Sequence, residues 1–362
     1  MDYIKSCFQD NINGILETVD DMIEKGYSST LYVSLLSVVP LNNKTIEYIV
    51  KLSIEDKKIY WSKPLLHIYN DKSIVKYLTD NLFNYSNWAQ LFQILLYNGT
   101  MFSVEDTISI INRSIHKIIA EKYSFIGLDT YCIELILVNA YKQIGNQFDK
   151  FPELLNIEIQ LFPYIKWKNM KCSQYMFKRN ANLYAEVLSI IYKHDDNKPP
   201  KENIDSNVIT RFFRLEHDIR FCPGEENGTI NTRILKEWIE TFRQQLTNQG
   251  QYYLFYEKLG HLFAFSPKGE DGIVPHESIR HIIEQSENND IINGFVNSIY
   301  FDRGVYALTA GKNESRLAQE YSKLAKRLQI YYPKTAKIYS SLSERYKYDS
   351  IRDRKRAEDN II

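Results

Sequence analysis

The residues best spaced to do chemistry in this chain are His194, the adjacent pair His217-Asp218, and a later acid, Asp271. Neutral imidazoles and carboxylates strung in that order could gather one or two hard divalent cations. A metal-bound water, its proton loosened by the cation, would then attack a phosphoester. Competing with this reading, Glu216, His217 and Asp218 form one short charged run flanked by Arg214 and Arg220, the pattern of a solvated helix face. His194 falls in a polar stretch instead of on a helix face. The solvated face is the expectation carried forward, and a metal-dependent phosphohydrolase of the all-α, HD-like kind stands as the remotest alternative.

Other chemical motifs are absent. The single Gly-Lys, Gly311-Lys312, is followed by Asn313 and has Tyr306 where a phosphate-binding loop needs its first glycine. No GxGxxG, GxSxG or HExxH occurs, and no cysteine or histidine cluster has zinc spacing. His276 and His281 are five apart, about 500° around a helix, so they do not share a chelating face and a surface role is expected. Cys222-Pro223-Gly224 is expected to end a helix, with no neighbour to activate the thiol. No catalytic residue, metal ligand or cofactor is expected.

The elements that would position these residues are helices. Apolar residues recur every three or four positions, with almost no alternating run bounded by turn residues. The helix opening at Ser103 is representative. Ser103 and Asp106 make a capping pattern, Ile108, Ile111, Ile115 and Ile118 share a face, and acids lead while bases trail as the helix dipole favours. Further helices are predicted at 4–25, 44–54, 72–83, 87–97, 128–144, 151–163, 174–193, 205–220, 231–247, 276–285, 314–331 and 334–357. The fold class is therefore all-α: an irregular helical-hairpin stack, α-solenoid-like, followed by a C-terminal helical module. The Pro199-Pro200 pair within His194–Lys201 cannot continue a helix and marks the division. Domains are expected at 1–196 and 202–362, joined by a polar linker at 197–201. A second punctuated stretch, Phe265–Pro275, must be a loop with defined turns.

Composition narrows the class further. With 45 basic and 45 acidic residues the chain has no net charge, and 44% hydrophobic with 25% charged residues is ordinary for a globular protein. Four scattered cysteines without CxxC pairing read as reduced core residues. No leader pattern and no long apolar run is visible, so a cytoplasmic location is expected and the Asn-x-Ser/Thr triplets carry no weight.

Zero net charge hides an imbalance. Residues 201–311 hold 11 bases against 16 acids, whereas 312–356, nearly all of the terminal hairpin (312–358), hold 13 against 5, a net charge of +8. Leu317, Tyr321, Leu324, Leu328 and Tyr331 share one face of its first helix. Lys323, Lys326, Arg327, Arg352, Arg354, Lys355 and Arg356 are the candidate contacts for nucleic-acid phosphates or an acidic protein face.

The C-terminal region, about 201–362, resembles a module at the end of uncharacterised bacterial helical proteins, some found near phage-defence genes. The resemblance rests on Leu259-Gly260, the Pro267…Asp271-Gly272-x-x-Pro275 loop and Arg303-Gly304-Val305. It continues through Gly311…Glu314 and Tyr332-Pro333-x-Thr335-Ala336 to Tyr346. It implies a recurring folded module and no reaction. The N-terminal half is similar only generically to HEAT or armadillo-type repeats. The function expected is a non-enzymatic interaction scaffold or adaptor in a bacterial defence or stress system, its partner another protein such as an effector encoded nearby. The alternative is a nucleic-acid-associated subunit using the basic hairpin.

Overall fold

A computed structural model describes residues 12–64, 69–125, 127–194, 204–303 and 310–359. The chain is all-α apart from one two-stranded hairpin among these residues, and it divides into two compact units, 1–169 and 170–362.

The first unit contains α1 (Ile12–Glu24), α2 (Ser29–Leu36), α3 (Asn43–Lys51), α4 (Ile54–Ser62), α5 (Lys72–Asn84), α6 (Trp88–Tyr97), α7 (Val104–Ala120), α8 (Gly127–Ile144) and α9 (Pro152–Leu161). Side chains start several of them: Asn42, Ser53, Asp71 and Ser103 each accept a hydrogen bond from a first-turn amide of α3, α4, α5 and α7. Partners alternate along the chain. α1 packs on α2 and α5 on α6, while next-but-one contacts join α2 to α4, α6 to α8 and α7 to α9. Such contacts are what stacked helical hairpins make. Ile108, Ile111, Ile115 and Ile118 are all buried, as their spacing requires.

The second unit contains α10 (Lys171–Arg179), α11 (Ala181–Ile191), α12 (Ser206–Asp218), the hairpin β1 (Glu225–Glu226) and β2 (Thr229–Ile230), α13 (Thr232–Gln249), α14 (Phe255–Phe263), α15 (Glu277–Gln285), α16 (Asp290–Asp302), α17 (Lys312–Leu328) and α18 (Pro333–Asp359). The two compact units thus divide before α10, while the linker expected at 197–201 lies wholly outside the described residues. The cause is packing: α11 lies against α12 and α13, and Trp238 of α13 packs on Tyr184 of α11 and donates to the Phe177 carbonyl at 2.9 Å. The single helix expected at 174–193 is two. Asn180 closes α10 and caps α11, its side chain accepting from the Asn182 amide at 3.0 Å.

β1 and β2 are joined by Asn227 and Gly228, both at positive φ, the two-residue turn whose twist suits antiparallel strands. Ion pairs from Lys178 to Glu225 and from Arg179 to Glu226 seat the hairpin beside α10. The 265–275 loop is held by Arg280, whose buried guanidinium bonds both Asp271 oxygens and the carbonyls of Ile273 and Pro275. α14, with Gly260, and α16, with Gly294, cross at backbone contact. α17 and α18 form the terminal hairpin, closed by the approach of Gly311 to the Ser350 carbonyl. Tyr331, expected on its apolar face, is 80% exposed because α17 ends at Leu328 and the chain turns there.

Candidate functional site

The proposed metal constellation is not brought together. His194 is committed to backbone, Nδ1 lying 2.6 Å from the Gln249 carbonyl and Nε2 3.2 Å from that of Ser189. Asp271 belongs to Arg280, which holds its carboxyl below the usual carboxylate range. Among the described residues no three histidine, cysteine or carboxylate side chains are grouped to hold a metal ion. His276 is the N-cap of α15, its ring accepting from the Ser278 amide, and His281 packs edge-on to Tyr332. Cys222 lies past the end of α12, fully buried, where burial pushes its thiol pKa up. Cys132 and Cys172 are likewise buried, and Cys7 lies outside the described residues.

The solvated face expected for Glu216-His217-Asp218 needs correction. His217 and Asp218 are exposed, but Glu216 is buried. Its Oε1 accepts from the Lys258 ammonium at 2.9 Å and from the Tyr184 hydroxyl at 3.3 Å. The Lys258 ammonium also donates to the Tyr192 hydroxyl at 2.7 Å. This buried pair joins α12 to α14 and forms the inner wall of a cavity of about 270 Å³ lined also by His217, His261, Asn297, Ser298, Phe213 and Phe301. Burial alone would lower the Lys258 pKa, but Glu216 and Tyr192 carry it above the ordinary lysine value.

His261 sits one turn along α14 from Lys258. Its Nδ1 lies 2.5 Å from the Ser298 hydroxyl, which is also 2.9 Å from the Gly294 carbonyl. Burial pushes its pKa down to about 4, with the Glu216 charge opposing. The native ring therefore stays neutral where the unfolded chain, near 6.5, binds a proton. Stability should be complete above pH ~6.5 and fall by roughly 2–3 kcal/mol as pH drops towards 4. Urea unfolding at neutral and mildly acidic pH should show this loss in the parent protein, and His261→Asn should remove that share of it.

The seven basic candidates of the terminal hairpin separate into committed and available groups. Arg352 is engaged by the buried carboxylates Asp349 and Asp353 at 2.9 and 3.4 Å, and Arg327 reaches the Asp271 carbonyl. Lys323, Lys326, Arg354, Lys355 and Arg356 are exposed, with no acidic partner among the described residues.

The first unit offers a surface of different character. Tyr48 donates to Asp20 at 2.6 Å and Lys44 reaches Asn13, so α3 runs alongside α1. With α2 on α4, the α1/α2 and α3/α4 turns share one edge of the stack. Ile23, Tyr27, Leu31, Val50 and Ile54 lie within a few residues of those turns in the chain and are 42% to 71% exposed.

The fold and these sites define an all-α protein built of a helical-hairpin stack and a helical module that holds a cavity lined by both charged and aromatic side chains. No family model, curated protein or solved structure matches the chain, and no helix among the described residues is long and apolar enough to cross a membrane.

Proposed function

We propose that the chain is a non-enzymatic protein-interaction scaffold whose first unit presents the edge at Ile23, Tyr27, Leu31, Val50 and Ile54 to a partner protein. The observation that carries this reading is that five large apolar side chains in or next to the α1/α2 and α3/α4 turns are all well exposed. Isolated exposed hydrophobics are ordinary, whereas a contiguous set ringed by polar residues is what a binding surface looks like. The partner implied by the C-terminal resemblance is another component of a bacterial defence or stress system, an effector encoded beside this chain.

The test is a tagged pull-down from the native host at moderate salt with nuclease, comparing parent with a Tyr27→Asp/Ile54→Asp variant. Both positions are more than half exposed, so the fold should survive. A stoichiometric protein that resists nuclease and is lost from the variant supports the reading. Its retention by the variant overturns it.

A second reading, a nucleic-acid-associated subunit, is favoured by the exposed bases of the terminal hairpin. Changing Arg354, Lys355 and Arg356 together to glutamine should then reduce the salt slope of duplex binding by about 2–3 units. An unchanged slope would remove that hairpin from consideration.

A further inference from the structure

The cavity between α12, α14 and α16 combines a buried ion pair with exposed aromatic side chains, and neither the scaffold reading nor the nucleic-acid reading uses it. Its inner wall offers hydrogen-bonding capacity that the protein does not absorb. Lys258 has three ammonium protons and two protein acceptors, Tyr192 and Glu216. The Tyr192 hydroxyl accepts from Lys258 and keeps its own proton to donate. Glu216 uses Oε1 for both of its bonds, leaving Oε2 as an acceptor. The Asn297 carbonyl oxygen is taken by Arg345 at 2.9 Å, which leaves its amide N–H groups available. At the outer rim stand Phe213 and Phe301, 52% and 64% exposed.

Charge selects among ligands. Lys258 is neutralised by Glu216 and Arg220 by Asp302 at 2.7 Å, and Glu257 adds a third carboxylate to the lining. An anion would meet more acid than base, while a cation would meet the Lys258 ammonium. A neutral group with a carbonyl beside an N–H meets neither penalty. Its oxygen would accept from Lys258 and its N–H would donate to Glu216 Oε2, both charge-assisted bonds. Paired donors and acceptors of this kind are how proteins read base edges. The volume, just under the usual range for drug-sized ligands, suits a single ring system better than a whole nucleotide. Exposed phenylalanines at the rim suit a flat π-face.

We infer that this cavity binds a small planar molecule presenting a neutral lactam edge, of the nucleobase class, with Lys258 and Glu216 reading the edge and Phe213 and Phe301 packing on the ring.

The test is isothermal titration of the full chain with guanosine and with uridine, which carry a ring lactam, and with 1-methylguanosine and 3-methyluridine, in which the lactam N–H is replaced. Saturable one-site binding of guanosine or uridine, weakened at least about tenfold by the methyl group, is the expected result. Variants at Lys258 or Glu216 would disturb folding, so the residues to change are Phe301→Ala and Asn297→Ala, with melting checked for each. Each should weaken binding by about tenfold while melting as the parent does. No saturable binding of either nucleoside up to its solubility limit would overturn the inference. Methylated analogues that bind equally well, or affinity untouched by Phe301→Ala and Asn297→Ala, would overturn it too.

Discussion

Methionine in place of Lys258 is expected to cost the second unit about 3–5 kcal/mol, because it leaves the buried Glu216 carboxylate with only the Tyr184 hydroxyl for company. Glu216→Gln should cost somewhat less, since an amide oxygen still accepts from the ammonium although its charge is gone. Changing both, as Lys258→Met/Glu216→Leu, should recover most of the loss. Two charges removed together leave no desolvated ion behind, and an apolar pair of similar volume packs as well. Urea unfolding of the parent, both single variants and the double variant measures the coupling directly. The pair also predicts an alkaline limit. The folded Lys258 titrates above its ordinary value, so its contribution is complete below about pH 10.4 and disappears as pH rises through the folded value. The Lys258→Met variant should lack that share of the alkaline loss. Single variants as stable as the parent would mean that the pair is solvated.

How far the sequence foretold this fold can be judged from particular helices. α7 is legible end to end, because Ser103, Asp106 and the isoleucine stripe are local signals that tertiary packing reinforces. Four helices give no clear signal: α2, α4, α14 and α16. α2 is apolar nearly all round, and α14 and α16 each carry an internal glycine that reads as punctuation. In the structure Gly260 and Gly294 interrupt nothing. They sit mid-helix because another backbone passes over them, a non-local fact with no local signature. The break at Asn180 is the converse: its type favours caps, but the apolar pattern continues through it and conceals the boundary. The Asn227-Gly228 turn was readable in principle, although strands of two residues are too short to show alternation.

The cavity was legible only in outline. Glu216, His217 and Asp218 drew notice as a charged triplet, but their exposures diverge because Glu216 alone faces α14. The partner left a weaker trace. Lys258 lies among Phe255, Leu259 and Leu262, on the buried side of its helix, and a lone cation there needs a buried acid somewhere. Which acid it meets depends on how α12 packs, and sequence spacing does not carry that. The basic residues of the terminal hairpin were legible as a set, while their division was not. Arg352 is bound by Asp349 and Asp353, three residues before it and one after, on the stretch where Arg354, Lys355 and Arg356 remain exposed.

Alanine at Gly260 or Gly294 should be among the most damaging single substitutions in the chain. A β-carbon on Gly260 would lie 2.0 Å from the Ile291 carbonyl oxygen, and one on Gly294 would lie 1.9 Å from that of Glu257. Both obstacles are backbone, so no rotamer change relieves them, and α14 and α16 would have to separate. Separation also moves Lys258 and His261 away from their partners. Against this stands the gain of replacing a helical glycine, about 1 kcal/mol. Overpacking of this severity should outweigh it, with a net loss of about 3 kcal/mol for either variant. Because both clashes occur at one crossing, the double variant should lose less than the sum: helices parted for the first methyl already admit part of the second. Gly127→Ala, at the start of α8 with nothing within 4 Å of the added carbon, is the control and should change stability by less than about 0.5 kcal/mol. Chemical denaturation of the parent and the four variants decides the matter, and a Gly294→Ala variant as stable as the control would mean that the two helices do not cross at backbone contact.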